Sequence, residues 1–108
     1  MGENNKLSDA KIYKLTHPGT DQVYVGSTCL KYLSLRKALH KSNYKAFCRG
    51  FGNESSSYGL YRFGDDVKIE LLEKLTDCKD KKTMYMKEQE YINRYGPNAL
   101  NKNKPINV

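Results

Sequence analysis

The sequence predicts an α+β domain: a small, three-stranded, mainly antiparallel sheet flanked by helices, in the order β-β-α-α-β-α. Three observations carry this reading. Two short β-prone runs flank a Pro-Gly turn near the start of the chain. Two longer stretches repeat apolar residues at helical spacing, one in each half. A single alternating run, Val67-Lys68-Ile69-Glu70-Leu71, stands between those stretches. With 108 residues the chain can bury one modest core. Residues 1–9 read as a flexible lead-in and 10–108 as a single domain.

Lys11 to Thr16, with Ile12, Tyr13 and Leu15, is the first strand. His17-Pro18-Gly19-Thr20-Asp21 is a turn, because proline presets φ and glycine permits positive φ. Gln22 to Ser27 is the returning strand. With a four-residue loop, His17 to Thr20, Tyr13 lies opposite Tyr24 and the two share a face. Ile12, Val23 and Val25 then point to the core, and a slip of one residue would separate the tyrosines.

Leu33 to Phe47 reads as a helix. Leu35, Ala38, Leu39, Ser42 and Ala46 form a mostly apolar stripe, while Arg36, His40 and either Asn43 or Tyr44 form its neighbour. Gly50, Gly52 and Ser55-Ser56-Ser57 make a loop, with a serine available to cap a short helix through Phe63 and Gly64 to end it. Val67 to Leu71 is the third strand. Asp77 or Asp80 can cap the last helix, which Gly96-Pro97 terminates before a polar tail from Asn98.

Composition narrows the function. A net charge of +7 and a pI near 9.3 favour a polyanionic partner, nucleic acid ahead of a membrane surface, since no basic amphipathic helix is present. Nine tyrosines offer aromatic surface for stacking on bases, or else core filler. No run approaches the roughly 18 apolar residues of a membrane span, and no signal-peptide core follows the polar N-terminus. The three cysteines, Cys29, Cys48 and Cys78, are widely spaced without a C-x-x-C pair. They read as free thiols of an intracellular protein, in the cytoplasm or a host nucleus, rather than as zinc ligands.

The sharpest chemical signal is Glu88. On a helical wheel it shares a side with Met84, Tyr91, Ile92 and Tyr95. A carboxylate amid apolar neighbours is costly unless it is paired with a cation, so Glu88 either closes a buried salt bridge with Arg or Lys or holds a metal. Arg36 and His40, four apart, are either a solvated basic face or a phosphate-binding fork beside a proton-carrying imidazole. Tyr13 and Tyr24 are either core tyrosines or catalysts, and Asn101 is either a turn residue or part of the same site.

Taken in order, these residues resemble the GIY-YIG nucleases. Lys11-Ile12-Tyr13 stands where the family has Gly-Ile-Tyr, and Tyr24-Val25-Gly26 matches its second motif. Arg36 and His40 follow one turn apart, as in the homing-endonuclease branch. Glu88-Gln89-Glu90-Tyr91-Ile92 is similar to the metal-ligand segment, and Leu100-Asn101-Lys102 to the closing asparagine motif. The resemblance spans residues 10–105, and the closing Asn-Lys-Asn-Lys-Pro is most similar to members encoded by large DNA viruses. The departure is Lys11, which replaces the first family glycine and either crowds the site or touches phosphate.

The resemblance implies a metal-dependent DNA endonuclease. One divalent ion, Mg²⁺ or Mn²⁺, would be held by Glu88 and a phosphate oxygen. Tyr13 would act as general base, its pKa depressed by Lys11, Arg36 or His40. Arg36 would hold the phosphate, His40 and Tyr24 would orient Tyr13 or the nucleophile, and Asn101 would brace Glu88 or its surroundings. Lys11, Lys14, Arg36, Lys37 and Lys41 are the expected nucleic-acid contacts. A ribonuclease and a non-catalytic binding module of the same fold are the alternatives, with a dimer or a separate targeting protein as expected partners and no membrane role.

Overall fold

The computed structural model describes residues 9–52, 55–75, 78 and 80–101. Asp77, Lys102 and the end of the polar tail lie outside these residues. The element order is β1 (Lys11–Thr16), β2 (Val23–Thr28), α1 (Leu33–Cys48), α2 (Tyr58–Tyr61), β3 (Lys68–Lys74) and α3 (Lys81–Tyr95), closed by a 3₁₀ turn at Gly96–Asn98. The sheet order is β2-β1-β3, with both pairings antiparallel. The predicted architecture is the observed one. Among the described residues, no helix is long and apolar enough to cross a membrane.

The hairpin differs from the predicted register by two residues. Tyr13 pairs with Gly26 and Leu15 with Tyr24, so the loop runs from His17 to Gln22. Local bonds hold the longer loop: His17 Nδ1 accepts from the Gly19 amide at 2.9 Å, and Thr20 Oγ1 from the Gln22 amide at 3.1 Å. A shift of two preserves parity, so Tyr13 and Tyr24 still share a face, diagonally rather than opposite each other.

Helices cover both faces of the sheet. On one side Ile12 and Val25 pack with Cys29, Met84 and Ile92, the last two from α3. On the other, Tyr13 and Leu15 pack with Leu60, Tyr61 and Val67, flanked by Tyr24, Leu33 and Tyr44. β3 is longer than predicted and carries an irregularity opposite Ile12 and Tyr13, where Leu72 is the extra residue. α3 starts on Asp80, whose carboxylate accepts from the Thr83 amide at 2.8 Å, and it ends at Gly96 with φ +56°.

α1 has the predicted extent but turns a different face inward. Leu35 and Leu39, predicted to be core, are 49% and 44% exposed. The inward stripe is Leu33, Arg36, His40, Tyr44 and Phe47, with His40 buried. Apolar periodicity misreads this helix because its buried face carries the polar residues.

Candidate active site

Tyr13, on the central strand, is fully buried, and its hydroxyl joins two residues of α1. It meets His40 Nε2 at 2.7 Å and accepts a hydrogen bond from Arg36 Nε at 3.1 Å. The four-residue spacing of Arg36 and His40 places both on the α1 face that covers the sheet. Arg36 and His40 are therefore not a solvated basic face. Tyr24 packs edge-on against the His40 ring, with centroids 5.6 Å apart. Its hydroxyl makes no hydrogen bond with a described residue.

Gly26 explains the last residue of the second tyrosine motif. A Cβ there would lie 2.4 Å from the Tyr13 hydroxyl oxygen and 2.5 Å from its Cζ. Tyr13 cannot swing aside without breaking its bonds to His40 and Arg36. Gly26→Ala is expected to destabilise the fold by about 1–3 kcal/mol, the usual range for overpacking, and to displace the hydroxyl. Urea unfolding with a chemical-shift map of Tyr13 and His40 checks this, and an unperturbed, equally stable variant would refute the close approach.

Glu88, on α3, is 9% exposed between the buried Met84 and Ile92. Its Oε1 accepts from Ser27 Oγ at 2.5 Å. Among the described residues no lysine or arginine closes the buried salt bridge considered from sequence. Burial pushes its pKa up, against the Ser27 hydrogen bond and the charge of Arg36. Glu88 is near enough that its charge acts on both Tyr13 and Tyr24.

Electrostatics reverse one expectation. The Tyr13 pKa is raised, chiefly by burial, and Arg36 is the cation that opposes the rise. Tyr24 is pushed well up for the same reason. Burial brings the His40 imidazole down to about 4, with the Arg36 charge adding to the effect. His40 is therefore neutral near pH 7 and supplies no positive charge to Tyr13.

Lys11 also has a different employment from the one expected. It is 7% exposed, and its ammonium donates to the backbone carbonyls of Leu30 at 2.5 Å and Asp9 at 2.6 Å. Burial lowers its pKa. The lysine ties the start of β1 to the segment before α1 and neither crowds Tyr13 nor presents its charge to a ligand. Lys14 lies 3.9 Å from Glu70 and 5.7 Å from the centre of the Tyr95 ring, on the strand face opposite Tyr13.

Asn101 acts as a substitute strand. Its Oδ1 accepts from the Val25 amide at 3.0 Å, and its Nδ2 donates to the Val25 carbonyl at 2.7 Å. Together with the bond from the Leu100 amide to the Val23 carbonyl at 2.7 Å, it closes the free edge of β2. Its link to the site is mechanical: it holds the strand that bears Tyr24, Gly26 and Ser27.

A cleft of about 440 Å³ opens beside these residues, lined among others by Ser27, Arg36, Leu39, Lys81, Met84 and Tyr85. Neither Tyr13 nor Glu88 is part of its wall; their partners Arg36 and Ser27 are. Lys81 at this cleft escaped sequence reasoning, because position one of a helix carries no signal of what it faces. The outer face of α1 bears Lys37, Lys41, Lys45 and Arg49 at four-residue intervals. No acidic residue occurs between Asp21 and Glu54. Lys41, Lys45 and Arg49 line a shallow groove with Ala38 and Ser42. No protein-family model, curated protein or solved structure matches this chain.

Proposed function

We propose that this chain is a metal-dependent endonuclease that hydrolyses DNA phosphodiester bonds. The observation that carries the proposal is a buried tyrosine hydroxyl held between an arginine and a neutral histidine, beside a buried carboxylate that has no cation partner among the described residues. Packing alone does not require that combination. A buried carboxylate left without a cation partner raises the energy of the free protein.

Glu88 is the residue that would hold the divalent ion. Its Oε1 is engaged by Ser27, its other oxygen accepts from no described residue, and no cluster of three His, Cys, Asp or Glu side chains converges among the described residues. One free carboxylate oxygen fits Mg²⁺ or Mn²⁺, which keep several waters and share phosphate oxygens, better than it fits zinc. An ion bound there supplies charge to the scissile phosphate and the leaving 3′ oxygen.

The chain's own residues do the rest. Arg36 borders the cleft and binds the phosphate, where its fork stabilises charge developing on the phosphoryl oxygens. Tyr13 takes a proton from the attacking water as its own hydroxyl proton passes to His40 Nε2. Burial is the main cause that disfavours the imidazolium and the Arg36 charge the lesser one, so a phosphodiester beside Arg36 eases proton uptake by His40 in part. Tyr24 fixes the plane of the His40 ring, and Asn101 holds the strand beneath it. The Lys37, Lys41, Lys45 and Arg49 stripe runs along the same helix and meets the phosphates that flank the cut.

Nicking of supercoiled plasmid in Mg²⁺ or Mn²⁺, abolished by EDTA, is the expected result. A mobility shift without cutting under every metal condition would overturn the reading in favour of a binding module. Matched single- and double-stranded DNA and RNA substrates separate a deoxyribonuclease from a ribonuclease. For the basic stripe, Lys41→Gln with Lys45→Gln is expected to make the dependence of log K on log salt shallower. The change is about 0.9 for each duplex phosphate that the variant no longer neutralises. An unchanged slope in fluorescence-anisotropy titrations would remove the stripe from the interface.

A further inference from the structure

We infer that Ser57 is a positioning residue of this site: it holds His40 in the Nδ1–H tautomer, which leaves Nε2 bare to accept the proton of Tyr13. The functional half of this inference rests on the nuclease reading above; the tautomer itself does not.

Ser57 sits at the N-cap of α2, where serine ordinarily turns its hydroxyl onto its own helix. Here it makes no side-chain cap. The side chain is fully buried, and its Oγ lies 3.3 Å from His40 Nδ1 and 3.3 Å from Ser55 Oγ. The hydroxyl has given up the local capping bond for a partner seventeen residues away.

The polarity of the chain follows from its far end. Arg36 Nε carries a hydrogen and no lone pair, so at 3.1 Å it must donate to the Tyr13 oxygen. The Tyr13 hydroxyl is then best satisfied by donating its own hydrogen to His40 Nε2 at 2.7 Å. A neutral imidazole with a bare Nε2 carries its hydrogen on Nδ1. Among the described residues, Ser57 is the one placed to accept that hydrogen, and its own hydrogen is then free for the half-buried Ser55. The hydrogens on Arg36 Nε, Tyr13 Oη, His40 Nδ1 and Ser57 Oγ each meet an acceptor along this row. The opposite tautomer would aim two hydrogens at one tyrosine oxygen and strand the tyrosine's own.

The consequence for chemistry is specific. When Tyr13 accepts a proton from water and its own hydroxyl proton moves to His40 Nε2, the tyrosine regains its starting form and the imidazole becomes an imidazolium. Ser57 keeps the Nδ1 hydrogen in place throughout, so the Nε2 proton is the one that leaves: after cleavage it returns through Tyr13 to the departing 3′ oxygen or to solvent. The proton taken from water is then accounted for, and the Nδ1–H tautomer is restored. Without Ser57, the Nδ1 hydrogen is buried without an acceptor, and the ring gains by moving its hydrogen to Nε2, where it blocks Tyr13.

The test is the ¹⁵N spectrum of the His40 side chain in the intact protein, together with cleavage rates. In the wild type, Nδ1 is expected to show the shift of a protonated ring nitrogen and Nε2 that of a bare one. In Ser57→Ala the single tautomer is expected to be lost, with cleavage slowed roughly 10- to 100-fold, the range found when a partner that orients a functional imidazole is removed. Thermal unfolding of the same variant reports whether it folds. Should it fail to fold, the wild-type spectrum alone decides the tautomer. A hydrogen on Nε2 in the wild type overturns the inference, as does a folded Ser57→Ala protein with unchanged tautomer and rate. A wild type that cuts nothing would instead overturn the nuclease reading, while the spectrum still reports on Ser57.

Discussion

Glu88→Ala is expected to abolish metal-dependent cleavage while leaving DNA affinity within a few-fold of the wild type. Charge and place together set this expectation. Glu88 is a carboxylate 9% exposed, flanked on α3 by Met84 and Ile92, with a serine hydroxyl as its one described hydrogen-bond partner. Such a group destabilises the free protein, because burial favours its neutral form. Glu88→Gln separates function from stability. The amide keeps the shape and can still accept from Ser27, but it carries no charge for a divalent ion. Glu88→Gln should therefore match or exceed the wild-type stability in urea while losing activity as completely as the alanine variant. Loss of stability in the glutamine variant would mean that the carboxylate has a structural partner. Persistent Mg²⁺-dependent nicking by either variant would remove Glu88 from the metal site.

Tyr13→Phe is the second large effect. The phenyl ring keeps its packing against Leu15, Leu60 and Val67, so the core is preserved. The hydroxyl is not. Its loss leaves His40 Nε2 and Arg36 Nε without their shared partner in a buried place, at a cost of about 1–3 kcal/mol in stability. It also removes the proposed general base, and a positioned general base contributes roughly 10²–10⁴-fold to rate. Single-turnover cleavage of a plasmid by Tyr13→Phe should fall by that factor. Full activity would reassign Tyr13 to packing and leave His40 as the base.

Several features of the site are visible in the sequence, and those that are share a local cause. Glu88 stands out because helical periodicity alone puts it between Met84 and Ile92. The shared face of Tyr13 and Tyr24 follows from alternation, which survives any register shift of two. The pairing itself does not follow, since the loop length depends on how His17 and Thr20 bond to their own loop. The inward face of α1 is hidden for a deeper reason. Hydrophobic spacing assigns Leu35 and Leu39 to the core, yet the helix buries His40, because both ring nitrogens find partners on other elements. Those partners, Tyr13 on β1 and Ser57 ahead of α2, are 27 and 17 residues away.

Lys11 and Ser57 mark the same boundary from opposite sides. The sequence makes Lys11 conspicuous, as a lysine where a resembling family has glycine, but its ammonium ends on the carbonyls of Asp9 and Leu30. Ser57 looks like one of three interchangeable serines near a short helix, and it is the one that reaches the imidazole. Residue types, their order and their periodicity determined the element order and picked out Tyr13, Tyr24, Arg36, His40 and Glu88 as candidates, because a helix or strand depends on neighbours within a few positions. Which hydrogen bond each of those side chains makes was decided only by the tertiary structure. A buried donor must take whichever acceptor the packed chain brings within about 3 Å, and that acceptor comes from a different element.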